Sequence, residues 1–560
     1  MNRIALVFAI LIVGAFSLFA QAPRTVSLTD EMLKLPSAAD WPAWRRDRAG
    51  SGYSPLDQIN RRNVRNLRLA WAGSMESGSL EPEPLVFNGI MYLPHPGGFL
   101  QALDARNGTP IWEYQYKKAG KGVPGLTRNI ALYHDMVILG TPDAHLVALD
   151  AVTGRVVWDV EVADASQGFR YTAGPVAGDG RIFASTMCTG EGPAHCFLSA
   201  HDASTGKMLW KRETVAGPSD SAEVNATWKG VPYERRLKAS MWMAGSYDPN
   251  LKLVYWTTAS AFPYTEVAKG ATGGTNLYTQ SILALRADTG AIAWYKQLMP
   301  RDNFDLDHAD SPILADVAIN GARHKVVFTM GKPSVLWALD RESGEHLWHR
   351  QLVPFQNIYK DISASGDITV NEEIIPETDS GFKLVCPGMR GGKIFQANSY
   401  NPRADVIFSS VSLACSNFEI LPLSKNRQGF NWDKMEAMKD SNGNVGRLVA
   451  VRASTGEILW HYDQRAPMGS SMTTAGGLVF AGDFYRNFRA FDTDTGKILW
   501  QVPLNGPIEG YPISYAVDGT QYIAVAAGGA SAGSSQLEQL YPELKTSIKS
   551  NVLMVFALER

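Results

Sequence analysis

Apolar residues recur along the chain in short alternating runs, each broken by a polar turn and ended by a tryptophan. "ALDARNGTPIW" ends at Trp112, "ALDAVTGRVVW" at Trp158, "AHDASTGKMLW" at Trp210 and "ALRADTGAIAW" at Trp294. "ALDRESGEHLW" ends at Trp348, "AVRASTGEILW" at Trp460 and "AFDTDTGKILW" at Trp500, while a shortened copy, "NLRLAW", ends at Trp71. Each full copy predicts a strand, a turn closed by glycine, and a second strand carrying the tryptophan. Glycine after Asp, Ser or Thr supplies the positive φ that a short hairpin turn needs. A tryptophan at a fixed offset predicts packing between neighbouring repeats.

Several short strands per repeat, at intervals of 40–54 residues in most cases, predict an all-β protein built as a β-propeller, and eight tryptophan copies predict eight blades. Two intervals are longer, 210–294 and 348–460. They carry the insertions 217–238 and 418–444, which are candidates for a lid or an entrance. The last strand, "NVLMVFALER", has no turn after it and is expected to complete the blade begun at "NLRLAWAG", which closes the ring without a free edge.

The first residues add a compartment. Arg3, an apolar run from Ile4 to Phe19, and Ala20 read as a secretory signal peptide over 1–20, which leaves 21–560 as one propeller domain. The mature chain is then exported, to the periplasm where a cell has two membranes, with no membrane span after cleavage. The 560 residues are 45% hydrophobic and 19% charged with net charge −2, a globular composition with no basic stripe for a nucleic acid. Four cysteines in an oxidising compartment imply two bridges. Three connectivities are open, and proximity favours Cys188–Cys196 and Cys386–Cys415. No CxxCH or CxxC occurs, so the chain has no c-type haem of its own and no zinc ribbon.

Four stretches carry chemistry that the blade repeat does not need: "TMCTGEGPAHC" (186–196), "KASMWMAGSYDP" (238–249), "RDNFDLDHADSP" (301–312) and "VVFTMGKPSVLWALDR" (326–341). The third packs Asp302, Asp305, Asp307 and Asp310 into a few positions, and like charges that close need something to offset them. An EF-hand does not fit, because the sixth position counted from Asp305 is Asp310 where glycine is needed.

From "DWPAWRRDRAGSGYSPLDQINRRNV" (40–64) to the C-terminus, these stretches and the tryptophan copies together resemble the pyrroloquinoline quinone (PQQ) dependent alcohol dehydrogenases, which are eight-bladed exported quinoproteins. The resemblance implies that Trp242 is the floor on which the quinone stacks, an aromatic face that buries large area at low entropy cost. Ser240 and Thr172 are implied as hydroxyl contacts to the cofactor, Arg128 as the partner of a PQQ carboxylate, and Lys332 as the cation beside the reacting carbonyl. Glu191 is implied as a metal ligand. Ser260 stands where the family has an asparagine ligand, a poorer donor.

Asp305, after Phe304, is implied as the general base and as a neighbour of the metal, and Asp307 as an additional metal ligand of the kind found in lanthanide-using members. Calcium is the expected ion, with a lanthanide as the alternative. Asp302 and Asp310 are expected to be solvent-facing or structural. The family's adjacent cysteine pair is absent, so the upper face of the cofactor must be covered otherwise. Met468 replaces a cavity tryptophan, and Phe395 is a candidate wall. The reading that follows is an exported quinoprotein oxidising an alcohol other than methanol by hydride transfer to PQQ. Its electrons pass to a soluble cytochrome c or a quinone, and a homodimer is compatible with this. The alternatives are a PQQ-dependent sugar or polyol dehydrogenase and a non-catalytic propeller scaffold.

Overall fold

The computed structural model describes residues 27–117, 125–189, 192, 194–375, 377–529, 531, 535–545 and 550–559. The expected signal peptide lies outside them, and among the described residues no helix is long and apolar enough to cross a membrane.

The alternating runs become seven sheets of four strands and one of five. Their first strands are Leu85–Phe87, Ala131–Tyr133, Val176–Gly178, Ser246–Asp248, Ile313–Ile319, Ser399–Asn401, Met468–Thr474 and Ile513–Val517. Within each sheet these strands pair antiparallel in simple up-and-down order, as short loops between sequence neighbours require. From the second sheet to the fifth, each first strand lies beside the first strand of the next, the arrangement of a propeller around an axis. The seventh sheet gains its fifth strand from Tyr53–Ser54, which pairs in parallel with Met468–Thr474.

The chain end behaves as its pattern predicts. Asn551–Leu558 pairs with Leu67–Met75 on one side and Thr520–Ala527 on the other, so one sheet joins both ends of the described chain.

The repeat tryptophans pack between sheets. Trp158 Nε1 donates to the Ala203 carbonyl (3.1 Å), Trp210 to Ala287 (3.0 Å), Trp348 to Ala453 (3.0 Å) and Trp460 to Thr493 (3.0 Å). Each acceptor follows the "ALD"-like end of the next repeat. The same indole lies on that repeat's turn glycine. At Gly456 (φ +71°) an added Cβ would fall 2.7 Å from Trp348 Cε3, so this position needs glycine both for its dihedral and for the tryptophan.

The long insertions are packed rather than free. In 217–238, Ser221 caps the helix Ala222–Ala226, Trp228 is fully buried, and Arg236 donates to the carbonyls of Val231 (3.0 Å) and Ala216 (2.8 Å). In 418–444, Phe430–Ala437 pairs with Ala414–Ile420. Trp432 and Met435 then join an apolar cluster with Phe395, Leu537 and Tyr541. Both expected bridges are present, Cys188–Cys196 and Cys386–Cys415.

Candidate active site

In an antiparallel hairpin the start of the first strand and the end of the second lie at the same end. The chemistry-bearing residues come from those two places. Glu81, Thr172, Trp242 and Phe395 each stand four residues before the first strand of their sheet, and Arg128 stands three before. Lys332 and Ser260 follow second strands, Ala322–Met330 and Leu253–Thr257. Repeat geometry therefore gathers them at one end of the axis although the repeat sequence does not contain them. All of them but Ser260 line a cavity of about 410 Å³, together with Ser240, Asp305 and Asp307.

The aspartate stretch is built by its own first member. The Asp302 carboxylate accepts from the backbone N–H groups of Phe304 (3.0 Å) and Leu306 (3.2 Å), an Asx-type turn that brings Asp305 to φ +57°. Ser260 Oγ (2.5 Å) and Gln280 Nε2 (2.8 Å) complete its shell. Asp310 accepts from Thr329 Oγ1 (2.8 Å) and the Met330 N–H (2.9 Å). Both carboxylates are buried. Of the two roles expected for them, the structural one holds and the solvent-facing one does not, because each has donors enough to leave water.

Asp305 and Asp307 differ sharply in company. Asp307 Oδ1 accepts from the Ser260 N–H (2.9 Å) and Oγ (3.1 Å), and Oδ2 from Lys332 Nζ (3.0 Å) and Trp242 Nε1 (3.3 Å). Asp305 has Lys332 Nζ at 3.5 Å from Oδ2, while its buried Oδ1 has no partner among the described residues. Burial, and after it the Asp307 charge, pushes the Asp305 carboxyl up to about 6. Burial opposes ionisation of Asp307 as well, but Lys332 and Lys238 outweigh it and bring Asp307 down to about 2. One member of the pair is thus a satisfied anion and the other a buried carboxylate with an open oxygen.

Arg128 Nε pairs with Glu81 (2.7 Å), its NH1 donates to the Trp242 carbonyl (3.0 Å), and its guanidinium lies 5.2 Å from the Trp242 ring centroid. Thr172 Oγ1 donates to the same carbonyl (3.4 Å). Trp242 is thus held at its backbone carbonyl and lines the cavity. Ser240 lines the cavity, but its hydroxyl donates to the Cys188 carbonyl (3.2 Å), tying the bridged loop to this end. Glu191 lies outside the described residues.

Phe395 is a wall, stacked on Phe484 with centroids 5.8 Å apart. Met468 is not: at the start of its strand it packs in the core with Val406, Phe408 and Phe491. The sequence reading missed Glu81, Arg170, Lys238, Tyr264 and Arg390, which also line the cavity. The signal for Glu81 was its place four residues ahead of an apolar strand. Tyr264 and Arg390 lie on loops with no such marker.

A flat quinone bearing three carboxylates fits this donor set: an aromatic floor, five cationic side chains (Arg128, Arg170, Lys238, Lys332, Arg390) and hydroxyls at the margin. A hard cation would find one open ligand at Asp305 Oδ1, an orphaned buried carboxylate oxygen, with Asp307 and Ser260 bonded to each other (3.1 Å); among the described residues no three His, Cys, Asp or Glu stand together as a metal site.

The family model described as "PQQ: Glucose/ethanol/alcohol dehydrogenase, beta-propeller domain" matches residues 41–365 and 463–523. The chain is 31% identical over 546 residues to a quinohemoprotein alcohol dehydrogenase of Comamonas testosteroni, covering 91% of this chain and 76% of that protein. It is 29% identical to a lanthanide-dependent methanol dehydrogenase of Methylacidiphilum fumariolicum, covering 89% and 86%. Among solved structures, a europium-containing methanol dehydrogenase superposes with a TM-score of 0.87 at 26% identity, covering 95% of this chain and all of that one.

Proposed function

The chain belongs to the PQQ-dependent glucose/ethanol/alcohol dehydrogenase β-propeller family, and from that premise we propose that it is an exported quinoprotein oxidising an alcohol. The observation that carries this is the meeting, in one cavity, of the Trp242 indole, the Lys332 ammonium and a buried carboxylate oxygen of Asp305 with no partner.

In this reading Arg128, Thr172, Ser240, Trp242 and Lys332 hold PQQ, and a calcium ion, or a lanthanide ion in its place, is held by Glu191, Ser260, Asp305 and Asp307. When bound, PQQ supplies the acceptor for the hydride that leaves the alcohol carbon. Asp305 takes the hydroxyl proton at Oδ2, the oxygen that a cation at Oδ1 would leave open. The neighbouring Lys332 keeps that carboxylate charged despite its burial, and Asp307 stays ionised alongside. Phe395 and Ile394 give the cavity an apolar wall, and Trp432 packs in the same cluster. Electrons leave to a separate acceptor, a soluble cytochrome c or a quinone. The eight sheets are the eight blades of one domain over 21–560, delivered to the periplasm by the signal at 1–20. A polyol or sugar is the second reading of the substrate, favoured by Arg170, Arg390 and Tyr264 on the wall.

The test is reconstitution of the purified protein with PQQ and Ca²⁺, and separately La³⁺, against a dye-linked panel of alcohols, polyols and sugars. Retention of PQQ and turnover are expected, with a loss of about 10³-fold in Asp305→Asn at unchanged melting temperature. No PQQ retained with either metal would sink the enzyme reading and leave a scaffold.

A further inference from the structure

Lys238 belongs to no repeat and opens the stretch 238–249. Leu237–Lys238 pairs antiparallel with Ala261–Phe262, which sets Lys238 beside the strand end that carries Ser260. Lys238 and Ala239 both adopt left-handed backbone, φ +68° and +58°. That conformation costs free energy for a residue with a Cβ, so the surroundings must hold it. They do: the Lys238 carbonyl accepts from the Cys196 N–H (3.3 Å) and Thr214 Oγ1 (3.2 Å), and the Ala239 N–H donates to the Ser260 carbonyl (3.1 Å). The side chain ends against Tyr264, donating to its hydroxyl with the ammonium 4.5 Å from the ring centroid. It lines the cavity within electrostatic reach of both Asp305 and Asp307.

The charges sum simply. Asp305 and Asp307 bring two negative charges, and Lys238 and Lys332 bring two positive ones. Lys332 touches both aspartates, at 3.5 and 3.0 Å, so it is their direct partner. Lys238 is the second cation, held by backbone and ring rather than by the carboxylates. A metal ion placed beside Asp305 shares one cavity with that ammonium. Coulomb repulsion scales with the charge of the ion, so a trivalent ion pays half again as much as a divalent one at the same position. We propose that Lys238 is a specificity-determining residue of the cation site, lowering its affinity for trivalent ions relative to divalent ones. This rests on the reading above that a cation sits beside Asp305. It makes the second carboxylate, Asp307, an insufficient mark of a trivalent site in this chain.

The experiment is a titration of the PQQ-loaded protein with Tb³⁺, read by tryptophan-sensitised luminescence, followed by displacement with Ca²⁺. It compares wild type, the neutral variants Lys238→Met and Lys238→Gln, and the charge-keeping Lys238→Arg. Either neutral variant that melts with the wild type is expected to bind Tb³⁺ at least about tenfold more tightly, and to raise the Tb³⁺-over-Ca²⁺ preference. Lys238→Arg is expected to keep the wild-type preference. An unchanged or lowered preference in the neutral variants, a shift in Lys238→Arg as large as theirs, or no Tb³⁺ binding in any form would overturn the proposal. PQQ retention is measured separately by absorbance after gel filtration. If the quinone is not retained, the enzyme reading fails, while the same titration on the quinone-free protein still decides the role of Lys238.

Discussion

Trp348 and Trp242 are the same residue put to two uses. Trp348 donates its Nε1 to a backbone carbonyl, Ala453 at 3.0 Å, and lays its ring on Gly456 of the next repeat. Trp242 directs its Nε1 at a carboxylate, Asp307 at 3.3 Å, and lines a cavity. A docking indole gains from being covered by protein, whereas a platform indole must be left uncovered by it. The indole partner alone does not mark a site, because the fully buried Trp41 also donates to a carboxylate, Glu83 (2.9 Å); the place beside the cavity does.

Truncation should split the two. Trp348→Ala opens a cavity where the fifth sheet meets the sixth, and is expected to cost about 3–5 kcal/mol of stability. The measurement is denaturant unfolding. Trp242→Ala is expected to leave the unfolding midpoint nearly in place and to release PQQ on gel filtration. If Trp242→Ala destabilises as much as Trp348→Ala while retaining the quinone, the two tryptophans are one kind and the comparison fails. Next in size is Gly456→Ala. Its Cβ would fall 2.7 Å from the Trp348 ring at φ +71°, so a loss of about 2 kcal/mol is expected, without change in PQQ retention.

The scaffold was legible because it repeats. Eight tryptophans in one frame predicted the sheets, their docking and the closing strand Asn551–Leu558, each of which depends on period-two alternation and turn glycines. The site was legible only where a residue sits in a stretch the repeat cannot explain, as Trp242, Asp305 and Lys332 do. Tyr264 escaped because it reaches the cavity from a loop, where nothing local fixes direction, and Lys238 because it stands where the insertion 217–238 meets the stretch 238–249. Met468 misled because a position in a resembling stretch does not say which face of a strand it takes. Asp302 and Asp310 misled for another reason. Charge suggested water, whereas backbone N–H groups and hydroxyls supplied the hydrogen bonds that let them be buried.

The smallest predicted effect grades the docking set itself. The Ala453 carbonyl has Trp348 as its side-chain donor. The Ala151 carbonyl has two, Trp112 Nε1 (3.0 Å) and Tyr92 OH (3.1 Å). At the shortened first copy, the Ala105 carbonyl accepts from Tyr515 OH (2.7 Å), so the Trp71 indole is not needed there. Tryptophan-to-phenylalanine substitution removes the N–H and a similar part of the ring at all three sites. The differences among them therefore report the hydrogen bond. Trp348→Phe should cost most, exceeding Trp71→Phe by about 1 kcal/mol, with Trp112→Phe between them because Tyr92 keeps that carbonyl satisfied. Unfolding midpoints of the three variants read this order directly. A Trp71→Phe loss equal to that of Trp348→Phe would mean that the docking strength comes from ring packing alone and that the indole nitrogen contributes nothing to it.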